Sequence, residues 1–225
     1  MKLKIKQLDE MTVDQFQKVD KCLVDNGDCE FTNQYIISIV YDLPLLEVKA
    51  MRKDIVDQVS NEIKKVLSVD IPLVQQFEMN STTYGFIPNI EVMSSGEYSD
   101  LESYITEPEN YHKCMAVMYR PITQSVKDRY QIEKYEGTVL TAQPMKEAPA
   151  HVLKSALIFF YNLEKELLNA SLGFIKQKMK ELGKDSEGQK SNTLKNGGGI
   201  SSLTTLQEEI FSELTKSQKD LYTSV

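Results

Sequence analysis

One pattern constrains this chain more than any other. From Pro149 onward, Leu153, Leu157, Phe160, Leu163, Leu167, Leu172, Ile175, Met179 and Leu182 recur at helical spacing. They predict a single helix of about 33 residues, roughly 50 Å at 1.5 Å per residue. Its first half is apolar nearly all round, which demands burial on several sides. Its second half narrows to the seam Leu172, Ile175, Met179 and Leu182, spaced like one face of a coiled coil, so that half protrudes or pairs. Gly173 and Gly183 are its weak points.

Upstream, Thr12-Val13-Asp14-Gln15 has capping-box spacing, and Val13, Phe16, Val19 and Leu23 behind it predict an amphipathic helix over 13–25, ending at Asn26-Gly27. Residues 31–41 predict a second helix. After Pro44, the run Val48, Met51, Ile55, Val59, Ile63, Val66 predicts one long third helix. The alternation of Leu3 and Ile5 with lysines predicts a short strand over 1–7. Residues 74–79 and 83–87 flank Asn80-Ser81-Thr82 as a hairpin, and 130–135 predicts a further strand. Ser99-Asp100-Leu101-Glu102 predicts the capped start of a short acidic helix that turns Leu101, Tyr104 and Ile105 inward. Residues 110–119 predict another helix, closed by Pro121. The class is therefore α+β: predominantly helical, with a small antiparallel sheet (hairpin near 74–87 plus a strand near 129–135) and the long C-terminal helix. Residues 1–182 form the body. Residues 183–199, with five glycines and almost no apolar content, form a flexible linker. Residues 200–225, carrying Leu206, Ile210 and Leu214, form a tethered amphipathic helix that must dock to be stable.

Charge is unevenly spread. The formal net charge is −7, yet the 47 residues between Lys65 and Lys113 contain no Lys or Arg and eight acids, leaving 25 acids against 26 bases elsewhere. A concentrated negative field repels phosphate backbones and anionic membrane surfaces and favours basic or neutral protein partners, so neither nucleic acid nor membrane is an expected partner. No apolar run approaches the roughly 20 residues that span a bilayer. The basic start lacks the apolar stretch of a signal peptide. Three cysteines do not make a disulfide framework, which points to a reducing cytosolic setting.

The sequence contains no P-loop, dinucleotide fingerprint, nucleophile elbow, zinc-peptidase helix or EF-hand loop. His112 and Cys114 point about 200° apart on a helix and cannot share a ligand; His151 falls in a first turn and is expected at the surface. The acids Glu97, Asp100 and Glu102 are the better candidates. Paired carboxylates can do acid–base work or hold a divalent cation, but acids near a helix start also cap it and solvate it, and an acidic face can meet a basic partner. Most of the nine methionines are core, although methionine also suits adaptable partner surfaces. These features favour an interaction protein over an enzyme: no catalytic residue, metal or cofactor is expected, and a metal-dependent enzyme using the 97–109 acids is the third reading. The expected partner-binding residues are Glu97, Asp100, Glu102, Leu172, Ile175, Met179, Leu206, Ile210 and Leu214.

Met11 to Lys18 (MTVDQFQK), Phe86-Ile87-Pro88-Asn89, Gly96 to Leu101 (GEYSDL), His112 to Pro121 (HKCMAVMYRP), Tyr135-Glu136-Gly137-Thr138, and Ala148-Pro149 leading into Ala156 to Leu163 together span roughly residues 10–170. In texture and order they resemble small proteins encoded among the structural genes of tailed bacteriophages, similar to tail assembly chaperones or minor virion assembly proteins. The resemblance implies a non-enzymatic factor in the host cytoplasm that binds phage structural proteins, coating a long helical tape-measure-like client and recruiting tail subunits, with homo-oligomers possible. Its alternative is a minor structural subunit of the virion, at the head–tail junction or baseplate. The Gly-rich linker and terminal helix have no counterpart in it.

Overall fold

The computed structural model describes residues 4–127 and 129–185. Side chains are described as far as residue 173, apart from a few positions before it. The described residues fall into two compact units, one up to Phe159 and one from Phe160, the division falling inside the long helix.

The first unit begins with helices. α1 (Val13–Asn26) starts where the sequence places it: Thr12 Oγ1 accepts from Gln15 N, and the Gln15 side chain reaches back to Thr12 N, satisfying two orphan donors. Gly27, at φ +62°, ends the helix with its N–H on Leu23 O. α2 (Glu30–Tyr41) buries Ile36, Ile37 and Val40 completely. Gln15 ties the two helices together, its amide donating to Ile39 O and to Asp42 Oδ2 beyond the end of α2. The expected single helix over 48–66 is instead two, α3 (Leu45–Lys49) and α4 (Lys53–Ser68). Arg52 sits between them at ψ 139°, an extended conformation that resets the chain and then starts α4. The apolar spacing crosses the break unchanged, because Val48 and Val56 are both buried on either side of it. Periodicity alone cannot register such a reset.

The sheet is a four-stranded antiparallel meander, β1 (Gln76–Met79), β2 (Thr82–Phe86), β3 (Tyr119–Val126) and β4 (Arg129–Ile132), in that spatial order. The first hairpin is where it is expected, with a two-residue turn: Asn80 and Ser81 both have positive φ, the primed-turn geometry that suits strand twist. β3 is the strand the sequence reading lacks. Pro121 marks the end of a helix, but the chain enters a strand at Tyr119 with no loop between, and Pro121 lies inside that strand opposite Tyr84. Proline is tolerated in this interior strand because the Pro121 carbonyl accepts from Glu133 N, just past the end of β4. A residue's N–H and C=O point to the same side of a strand, so the missing donor also faces that ragged end, next to the register shift between Ile122 and Gln124.

Two helices are inserted between β2 and β3. α5 (Ser95–Ile105) is capped by Ser94 and Glu97, not by the expected Ser99 and Glu102. Ser99 lies inside the helix, where its carbonyl accepts from Ser103 Oγ. α6 (Tyr111–Met118) buries Cys114 through Met118. No strand forms over 4–7. There Glu10 accepts from Gln7 N and pairs with Lys4 at 2.7 Å, closing a local turn at Leu8–Glu10; Leu3 lies outside the described residues. The N-terminal segment instead pairs at one point, Thr12 against Pro149, with Val13 N on Ala148 O and Ala150 N on Met11 O.

α7 (Ala150–Asp185) is the long helix of the sequence pattern, and it runs through Gly183. Ala150 and Val152 through Leu157 are all buried, so its start is enclosed on every side as the all-round apolar pattern requires. Lys154 is buried among them; its ammonium donates to Leu67 O and Val69 O, the unsatisfied carbonyls at the end of α4. The sheet packs here through aromatic rings: Phe77 stacks on its cross-strand partner Tyr84, and Phe86 meets both Tyr119 and Phe159 edge-on. The architecture is α+β. Among the described residues no helix is long and apolar enough to cross a membrane.

Candidate functional site

Two of the three candidate acids, Glu97 and Asp100, meet in the first unit, where α5, β3 and the chain after β4 come together. Glu97 is the third residue of α5 and is buried. Its Oε2 accepts from Ser94 N at 2.7 Å and its Oε1 from Arg120 Nη2 at 2.6 Å. Burial pushes this carboxyl up, but the Ser94 N–H and hydroxyl and the Arg120 guanidinium outweigh burial and hold it below the usual carboxylate range. Arg120 packs over the ring of Tyr135, 5.6 Å from its centroid, and its Nε–H is buried without an acceptor. The Tyr135 hydroxyl in turn donates to Asp100 Oδ2. Burial first, and then the Asp100 carboxylate, push that phenol well above its ordinary range. A chain of contacts therefore runs Ser94–Glu97–Arg120–Tyr135–Asp100, fixing α5 to the sheet and to the segment beyond it.

Beside this chain lies a pocket of about 270 Å³ whose lining includes Tyr84, Arg120, Glu133, Tyr135, Leu140 and Met145. Its rim is a loop held from below. Gly137, at φ +89°, turns the chain; Ala142 N donates to Thr138 O; Thr138, Ala142 and Met145 are buried. Between these anchors Val139 and Leu140 stand 92% and 88% exposed. In comparisons with known proteins, no family model, curated protein or solved structure matches the chain.

The geometry assigns the expected residues unequally. Glu97 and Asp100 come together on the network, Glu97 held by Arg120 and Asp100 accepting from the Tyr135 hydroxyl. Glu102, on the same helix, is exposed. Among the described residues no group of three or more His, Cys, Asp or Glu is placed to hold a metal ion. The base-free segment does not form a single acidic element: Asp70 follows α4, Glu78 is on β1, and Glu109 pairs with Lys21 of α1 at 3.0 Å. Leu172 is half-buried in the second unit. Ile175 and Met179 lie in α7 and their side chains fall outside the described residues, as do Leu206, Ile210 and Leu214 and the linker beyond Asp185.

His112 and Cys114 do not converge. His112 Nδ1 lies 3.2 Å from Gln17 Oε1, its pKa lowered by burial, while the Cys114 thiol is enclosed 4.0 Å from the Met118 sulfur. His151 is not a surface side chain: it is half-buried, and its Nδ1 is enclosed without a partner, because the helix start it occupies is covered. Met115, Met118 and Met145 are core. Sequence reasoning missed Arg120, Tyr135 and the Val139-Leu140 pair. The first has a signal: an arginine in the apolar run Met118-Tyr119-Arg120-Pro121-Ile122 is a charge headed for burial, and a buried charge requires a partner.

Proposed function

We propose that this chain is a non-enzymatic assembly protein of a tailed bacteriophage, a tail assembly chaperone that holds a long, helical, tape-measure-like structural protein in the host cytoplasm. The observation that carries the interaction role is the Val139-Leu140 loop. Two aliphatic side chains are held out in water by buried anchors on both sides, beside a pocket that Leu140 itself lines. Burying a valine or leucine side chain fully contributes about 1.5–3 kcal/mol each, so the pair forms an apolar contact for a partner's helix face. The phage setting and the class of client rest on the sequence resemblance.

Co-purification from infected cells tests this reading. A tape-measure-like protein should be retained by the tagged chain, and the chain should be scarce in purified particles. Peptides of this chain at stoichiometric abundance in particles would instead make it a virion subunit, and retention of metabolic enzymes alone would overturn both.

A further inference from the structure

The sheet ends at β4, and the outer side of that strand is open. Glu133 N donates to Pro121 O and Thr123 Oγ1 donates to Gln131 O, so the backbone groups of Gln131 and Glu133 face β3. Successive residues of a strand direct these groups to opposite sides, so the N–H and C=O of Tyr130 and Ile132 face outward. Among the described residues no strand lies beyond β4, and no backbone bond from outside the sheet reaches Tyr130 or Ile132. An edge of this kind is a template for another chain.

The side chains along the edge select which chain. Arg129, Gln131 and Glu133 are exposed, and Tyr130 and Ile132 between them are half-buried. Among the described residues neither Arg129 nor Glu133 pairs with an opposite charge. A second copy laid antiparallel against β4, with the two-fold axis at Gln131, sets Arg129 opposite Glu133 of the second copy and Tyr130 opposite its Ile132, each pair recurring by symmetry. The parity fits this arrangement. Tyr130 and Ile132, whose backbone groups face outward, become the pairs that exchange N–H···O bonds. Arg129 and Glu133 fall on the non-hydrogen-bonded positions, where facing side chains approach most closely. Registers centred one residue away set Arg129 against Gln131 or Tyr135. Only the Gln131-centred pairing brings the arginine opposite an acid.

We propose that the β4 edge is a self-recognition surface: two copies of this chain join antiparallel through backbone bonds between Tyr130 and Ile132, in the register chosen by the reciprocal pairs of Arg129 with Glu133. One short strand from each copy makes a small contact, at the low end of protein interfaces, below about 1,200 Å², so the dimer dissociates on dilution. The pairing does not depend on the identity of any client.

The test is sedimentation velocity of the purified full chain, under reductant and at physiological salt, from about 1 μM to about 1 mM, the range of weak contacts. The wild type should pass from monomer to dimer across it. Arg129→Glu and Glu133→Arg each convert both charge pairs to like charges and should weaken the dimer roughly tenfold. An equimolar mixture of these two variants restores opposite charges at both places and should form a mixed dimer, and R129E/E133R should recover the wild-type affinity. A wild type that stays monomeric, single variants that dimerise as tightly as the wild type, or a mixture no more associated than its components would overturn the proposal. Should either single variant melt below the wild type, Gln131→Cys decides instead. Facing residues on the axis have Cα atoms about 4.5 Å apart, within disulfide range, so mild oxidation should give a peptide cross-linked through position 131 of both copies, and its absence would overturn the pairing.

Discussion

Arg120 Nη2 lies 2.6 Å from Glu97 Oε1, with the two side chains only 11% and 10% exposed, so the start of α5 is pinned to the sheet by a buried ion pair. Removing one member of such a pair leaves an uncompensated charge out of water, which costs more than the pair itself contributes. Arg120→Met should lower unfolding free energy in urea by about 3–5 kcal/mol. The double variant E97Q/R120M should lose less than R120M alone, because no buried charge is left behind. Equal losses in the two would show that Arg120 acts through packing on Tyr135 and not through its charge.

The same carboxylate gives a pH dependence of definite sign. The pKa of Glu97 is lower in the folded than in the unfolded chain. Its contribution is therefore fully present above the unfolded value of about 4.3 and is lost as pH falls through the folded value. Stability measured from pH 6 downwards should fall less steeply in Glu97→Gln than in the wild type, with the difference opening below about pH 4.3.

Gly85 marks a close approach in the sheet. A Cβ there would fall on the Tyr130 ring, 2.9 Å from its Cδ2, and 3.0 Å from Ile122 Cγ1. The ring cannot swing aside, since its hydroxyl donates to Phe86 O at 2.8 Å and reaches Gln75 O at 3.2 Å. Gly85→Ala should destabilise by about 1–3 kcal/mol, the cost of overpacking. A thermal midpoint equal to that of the wild type would mean that β4 yields.

How far the sequence could be read follows from the range of each interaction. The Thr12–Gln15 box was legible because both partners lie within one turn, and the start of α7 because burial on every side leaves an all-round apolar pattern. Ser94-x-x-Glu97 and Ser99-x-x-Glu102 carry the same local signature. What selects the first is Arg120, which arrives from β3 to hold Glu97, and no spacing within the helix announces it. β3 was hidden by Pro121, whose usual exclusion from interior strands is relieved only by the ragged end of β4. The α3–α4 break left apolar spacing intact. Local capping and burial period were visible; partners brought in by tertiary structure were not.

Lys154 gives a second pH dependence, of the same sign but at the alkaline end. Burial lowers its pKa to about 8, while its ammonium caps the end of α4 on Leu67 O and Val69 O. With the unfolded value at about 10.4, the native state binds fewer protons between these limits, so stability attributable to this residue rises with pH across that window. Lys154→Met should lose the carbonyl caps and be less stable at every pH. The gap from the wild type should widen between pH 7.5 and pH 9.5, a range chosen to stay below most tyrosine ionisation. A constant gap would show that Lys154 ionises normally in the fold.

Val139 and Leu140 offer the cleanest separation of binding from folding. Both lie almost wholly in water, and the loop that carries them is fixed by Thr138, Ala142 and Met145 beneath. Surface substitutions away from buried features change stability by no more than about 0.5 kcal/mol, so Val139→Asp and Leu140→Asp should unfold with the wild-type midpoint. If a partner buries these side chains, each variant loses about 1.5–3 kcal/mol of binding free energy, roughly tenfold to more than a hundredfold in affinity, before the added cost of burying a carboxylate. Retention of the tape-measure-like client by the tagged variants, compared with the wild type in infected cells, reads this directly. Undiminished retention with unchanged folding would remove the loop from the interface and shift attention to α7. A lowered midpoint would show instead that the two side chains support the fold.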